Sequence, residues 1–199
     1  MQNKKVQIYI IAFVLILALA AFFFLRTTSP DDDADRADIS GQVIKQINDN
    51  LGFQGVRDPI TTSKSHVSFE GFGPGKSHIG KFDNWKGELF IEDSKIIGFE
   101  GVIQTNSLNT GINQLDTHLK SEDFFSTDKF PTINFISNLL LDNELTGDLT
   151  FLGTTKEISF PVIITADSLT ADFILDSSQF GEMSDKANDE IRIFFELFK

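Results

Sequence analysis

The chain has 199 residues, a formal net charge of −12 and no cysteine. That length holds one well-packed domain plus extensions. The missing cysteines exclude disulfides, thiol nucleophiles and thiolate metal sites, and the acidic balance repels a nucleic-acid backbone.

In chain order, residues 1–7 carry Lys4 and Lys5 and precede an uncharged run, IYIIAFVLILALAAFFFL, over residues 8–25. With Val6 and Gln7 it spans about 30 Å as a helix, which matches a bilayer core. The spacing predicts a transmembrane helix. The flanking lysines predict a cytoplasmic N-terminus, with the remainder extracytoplasmic at the cell membrane. Ala18-Leu19-Ala20 has the shape of a signal-peptide cleavage site, but the apolar run continues past it, so an uncleaved anchor is expected.

Residues 26–38 include SPDDDADRAD and read as an acidic linker. Residues 39–59 read as a short amphipathic helix and lead-in, because Ile39, Val43, Ile44, Ile47 and Leu51 recur at helical spacing. All 29 acidic residues lie beyond Arg26, together with only 14 of the bases.

From about residue 60 the apolar period changes to two. Val67 and Phe69 alternate with polar neighbours, as do Leu89 and Ile91. The same pattern groups Ile97, Phe99 and Ile103; Ile133, Phe135, Leu139 and Leu141; and Leu145, Leu149 and Phe151. It continues through Ile158, Phe160, Val162 and Ile164; Leu169, Ala171, Phe173 and Leu175; and Ile191, Ile193, Phe195 and Leu197. These are eight candidate strands. Asp93-Ser94 and Asp142-Asn143 suit two-residue hairpin turns, and Gly153-Thr154-Thr155 suits a longer one. Pro161 must sit at a strand end, at a bulge or where its absent donor has no partner. The expectation is mainly β: an eight-stranded antiparallel up-and-down barrel over residues 60–199, with a two-sheet sandwich as the alternative. Seventeen phenylalanines from Phe53 onward suit either a packed core or an apolar ligand channel.

One connection, residues 106–132, is too long for an idle loop. Ile112, Leu115 and Leu119 have helical spacing, Ser121 suits the cap of a following short helix, and Pro131 ends the segment. A helical lid at one end of the barrel is expected.

This connection and its flanks carry a set of ordered motifs. They are Ser107-Leu108-Asn109-Thr110-Gly111; Asp116-x-His118-Leu119; Ser121-x-Asp123-Phe124-Phe125; and Phe130-Pro131-x-Ile133-x-Phe135-x-Ser137. Thr146-Gly147-Asp148-Leu149-Thr150 with Gly153-Thr154-Thr155-Lys156 adds a hairpin motif. His78-x-Gly80-x-Phe82, Trp85-x-Gly87 and Phe180-Gly181 complete the set. Together they resemble the YceI-like family of polyisoprenoid-binding proteins, over about residues 60–199. The resemblance implies a lipocalin-like barrel enclosing a long isoprenoid tail, of a quinone or a polyprenyl lipid; it does not imply an established enzymatic reaction, and no enzyme is expected. The ligand-facing residues it implies begin with Phe69, Phe82, Trp85, Leu89, Phe99, Leu108 and Leu119. They continue with Phe124, Phe125, Phe135, Leu149, Phe151, Phe160 and Phe173. Two departures stand out. Leu115 occupies a position where the family commonly has arginine, and Ser177-Ser178-Gln179 replaces its usual Asn-Arg before the late Phe-Gly corner. The lost cations favour a neutral head group.

Asp116 and His118, two apart on a helix, do not face each other and form no local dyad. They read as polar anchors of the lid, Asp116 capping a turn and His118 hydrogen bonding. His66, His78 and His118 show no metal-ligand spacing. Trp85 with Lys86 reads either as cover for a ligand tail or as end packing. No cofactor is expected beyond a bound isoprenoid lipid or quinone. The rival reading is an envelope interaction module with a filled, ligand-free barrel.

Overall fold

The computed structural model describes residues 55–183 and 188–199. The predicted amphipathic helix of residues 39–51 and the apolar run 8–25 lie outside them. Among the described residues, no helix is long and apolar enough to cross a membrane.

The strands are β1 (Val56–Pro59), β2 (His66–Gly73), β3 (Lys76–Phe82), β4 (Trp85–Glu92), β5 (Lys95–Gln104) and β6 (Leu108–Asn109). After helix α1 (Asn113–Lys120) come β7 (Thr132–Leu141), β8 (Glu144–Phe151), β9 (Thr154–Pro161), β10 (Ile163–Ile164), β11 (Ser168–Asp176) and β12 (Glu190–Phe198). Every candidate strand read from the period-two pattern is present. The short β1, β6 and β10 offer too few residues for periodicity to register, and β3 was visible only through its His78-x-Gly80-x-Phe82 motif.

The expected eight-stranded closed barrel does not form. Two six-stranded antiparallel sheets form instead, in the orders β1-β4-β5-β7-β8-β9 and β10-β11-β12-β2-β3-β6. The chain passes from one sheet to the other five times, and three of these passages are tight corners. At Asp83-Asn84, between β3 and β4, the ladder gives way to irregular bonds. The Asp83 and Asn84 N–H groups donate to the carbonyl and hydroxyl of Ser107, at 3.1 and 3.0 Å. The 3₁₀ turn Thr105–Ser107 forms the facing corner between β5 and β6. At the third corner Pro161 ends β9, as its missing donor requires, and the next N–H, of Val162, donates to the Asn143 carbonyl at 2.8 Å. The two sheets share one core, drawn from both inner faces.

Three tight turns set the registers. Asp93-Ser94, Asp142-Asn143 and Leu152-Gly153 all have positive φ at both residues, the backbone that matches strand twist in two-residue hairpins. The third turn lies one residue earlier than the sequence suggested. Leu152 tolerates its strained backbone because its side chain is buried in the core.

Two bulges invert the expected inward phase beyond them. The shift at Phe90/Ile91 leaves Ile97 as the extra residue of β5, so Ile96 is the buried one, at 2% exposure. The shift at Ser137/Leu139 turns Leu141 outward to 61% exposure and sends Leu140 against the core. A one-residue slip exchanges the two faces of a strand.

The lid forms in part. Helix α1 is present with Leu115 and Leu119 half-buried, but Ile112 lies before its start and is 50% exposed. Ser121 closes α1 instead of starting another helix, its N–H donating to His118 O at 3.2 Å. Residues 121–130 then wrap in successive turns. The Phe125 N–H donates to Leu119 O at 3.0 Å, and the Ser126 N–H to Ser121 O at 2.9 Å. The far end of this wrap is tied to the corner turn by Thr105, whose hydroxyl donates to Phe130 O at 2.7 Å.

Candidate functional site

Between the sheets lies an apolar cavity of about 130 Å³. Strand alternation aims its wall. Phe69 on β2 lies across Gly80 of β3, where any Cβ would collide with the Phe69 ring. Phe135 on β7 likewise lies over Gly147 of β8, where a Cβ would come within 2.5 Å of its ring. The two glycines thus seat two aromatic rings flat against the sheets. Phe160 of β9 stacks on Phe173 of β11 at 4.3 Å and 7°, joining the sheets across the interior. Phe99 of β5 meets Phe195 of β12 edge-on at 5.2 Å.

One end is plugged by the lid wrap. Phe125 reaches inward and contacts Phe69, Phe82 and Phe151 at 5.5, 5.9 and 5.8 Å. Phe124, its neighbour, turns away and packs against the His118 ring at 4.7 Å. At Gly101 the wall is thin. A Cβ built there would meet nothing nearer than 3.7 Å, and its backbone φ is not in the left-handed region.

Ten of the expected ligand-facing residues border the cavity: Phe69, Phe82, Trp85, Phe99, Phe125, Phe135, Leu149, Phe151, Phe160 and Phe173. Four do not. Leu89 and Leu108 are packed solid at 0% and 1% exposure, Leu119 flanks the core from α1, and Phe124 serves His118. Ile60, Ile158, Leu175 and the inner face of β12 also border it. The β12 face was legible as inward from its alternation. Ile60 lies outside any periodic run and left no signal.

The polar anchors divide. Asp116 does cap a turn: its Oδ1 accepts from the Thr110 N–H at 2.7 Å and from the Thr110 hydroxyl at 2.6 Å. Those two bonds hold its carboxyl below the usual range, the hydroxyl contributing most. The hydrogen bond from Asn109, and then Lys81, does the same for the neighbouring Asp83. His118 takes part through its backbone and its ring. Its backbone carbonyl accepts from Ser121, while its ring is an aromatic shelf for Phe124. Asp116 and His118 therefore serve different partners. No carboxylate, imidazole or thiol borders the cavity among the described residues; Ser68 and Lys86 are the polar residues that do.

The YceI-like domain family matches residues 58–198. The chain belongs to the YceI-like family. Among curated relatives, a UPF0312 protein of Staphylococcus aureus strain MRSA252 is 39% identical over 72 residues, covering 36% of this chain and 42% of that protein. A UPF0312 protein of Shewanella denitrificans is 30% identical over 113 residues, 53% of this chain and 56% of that one. The YceI-like chain thus spans about half the length of the curated relatives it matches. Among solved structures it is similar to BcnA of Burkholderia cenocepacia, with 21% identity and a TM-score of 0.64 over 70% of this chain and 99% of that one. It is also similar to a polyisoprenoid binding domain from Saccharophagus degradans, with 13% identity and a TM-score of 0.56 over 70% and 95%. At such identities the likeness is one of fold.

Proposed function

We propose that this YceI-like protein binds an apolar, isoprenoid-type lipid by enclosing its hydrocarbon tail between the two sheets. The observation that carries the reading is the cavity itself. A chain selected only for a packed interior has no use for 130 Å³ of space walled by aromatic rings. The family and the binding described for the Saccharophagus neighbour support the same class of ligand.

The volume limits what fits without rearrangement. A dry cavity of about 150 Å³ lined by Leu, Ile and Phe takes up benzene, and one isoprene unit is of about that size. The resting cavity therefore holds the terminal unit of a tail. A longer tail of a quinone or polyprenyl lipid enters only as interior rings rotate, Phe125 first, because it lies on the turns of the lid. Each Å² of tail removed from water contributes about 25 cal/mol, less the cost of ordering the chain.

Trp85 is the single tryptophan in the chain and borders the cavity, so its emission reports occupancy directly. Titration with polyprenols or quinones should shift or quench that emission and saturate at one equivalent. Emission unmoved across the series would return the reading to a ligand-free interaction module.

A further inference from the structure

The cavity's polar margin lies where Ile60, Lys86, Gly101 and Val102 border both it and a groove on the outer face of the first sheet. The chain geometry explains the gap. The β2–β3 ladder ends at Ser68↔Lys81, so His66 and Val67 pair only with β12. Beyond the Asp83-Asn84 corner the chain runs in the other sheet, where β4 pairs with β1 and β5. Ile60, held by its N–H to Gly87 O at 3.0 Å, straps the space between.

Lys86 is the cation of this margin, and its charge is uncommitted. Two carboxylates on the same outer face, Glu88 and Glu100, are both engaged by Arg57, the first at 3.3 Å. No carboxylate pairs with Lys86 among the described residues. Lys86 is exposed on the groove side, where Glu88, Glu100 and Asp148 also line the groove, and in a chain of net charge −12 an ammonium with no carboxylate partner is a ready donor to an oxygen-rich group. Inside, the wall offers no partner for such a group, so burying it there would be costly.

We infer that the tail's polar head lies outside the cavity at Lys86, between the Ile60 strap and the outer groove, and that the site takes phosphate or a similar oxygen-acceptor head by a charge-assisted bond from the Lys86 Nζ. The inference rests on the tail-binding reading above. It also revises the neutral head expected from the two missing cations, because Lys86 supplies a cation elsewhere on the fold.

The test uses two probes with one tail, farnesol and farnesyl monophosphate, followed by Trp85 emission. The full chain and its Lys86→Met variant are held in the same uncharged detergent, so micelle partitioning cancels. Methionine keeps the apolar stem and removes the charge. The wild type should prefer the phosphate roughly two- to fivefold, a preference that salt weakens. Lys86→Met should bring the two probes to equal affinity, and Lys86→Glu should reverse the preference. Lys81→Met, which removes a lysine paired with Asp83 at 2.7 Å, should leave it intact. If Lys86→Met binds both probes with the wild-type ratio, the head lies elsewhere and this inference falls while tail binding stands. If neither probe moves Trp85 in the wild type, both readings fall.

Discussion

The Ser137 hydroxyl completes the backbone hydrogen bonding of Phe99. It accepts from the Phe99 N–H at 2.8 Å and donates to the Phe99 carbonyl at 2.9 Å. The bulge at Ser137/Leu139 takes β7 off the β5 ladder there, and one side chain substitutes for the missing strand contacts. Both residues are buried. Ser137→Ala strands two buried backbone groups, and should cost about 1–3 kcal/mol. A melting temperature lowered by several degrees, with Phe99 and its neighbour Phe135 shifted in the aromatic NMR spectrum, checks it.

Filling the cavity should stop binding without harming the fold. Gly101 has room for a side chain, and β5 alternation aims it inward beside Phe99 and Ile103. Gly101→Leu should keep or raise stability, since glycine weakens a strand interior, and should weaken tail binding about tenfold or more by steric exclusion. Undiminished binding in a folded Gly101→Leu variant would place the ligand outside this cavity.

Removing the plug should act in the opposite sense. Phe125→Ala empties a ring that touches Phe69, Phe82 and Phe151, and a buried Phe→Ala change costs about 3–5 kcal/mol. The enlarged interior should admit longer tails. Denaturant unfolding paired with a polyprenol length series reads both effects.

The lid should loosen in acid. The Asp116 carboxyl, held down by Thr110, has a folded pKa below its unfolded value. Its contribution is therefore full above the unfolded pKa, about 3.9 for an aspartate, and is lost as pH falls through the lower folded value. Amide exchange at Thr110 should stay slow near neutrality and quicken only below the ordinary carboxylate range. Asp116→Ala, which removes the acceptor, should make it fast at every pH.

Much of this was legible in the sequence, and the failures have physical causes. Alternation located the long strands because each buries one face, and ten of the wall residues follow from it together with the family motifs. Barrel closure was misread because the corners at Asp83-Asn84 and Thr105–Ser107 carry no strong breaker. Their effect comes from Ser107 capturing backbone donors across 23 residues of chain. Ile97 and Leu141 were assigned inward because a bulge leaves no mark on composition. The split between Phe124 and Phe125 depends on the Ser121–Ser126 wrap, which periodicity cannot show.

The most direct measurement is native mass spectrometry of the domain from Ser29 to Lys199, expressed with export and purified without detergent. The account predicts a stoichiometric adduct that extracts as a lipid with an isoprenoid tail and is absent from Gly101→Leu. A bare protein mass that stays bare after incubation with quinones and polyprenols would contradict it.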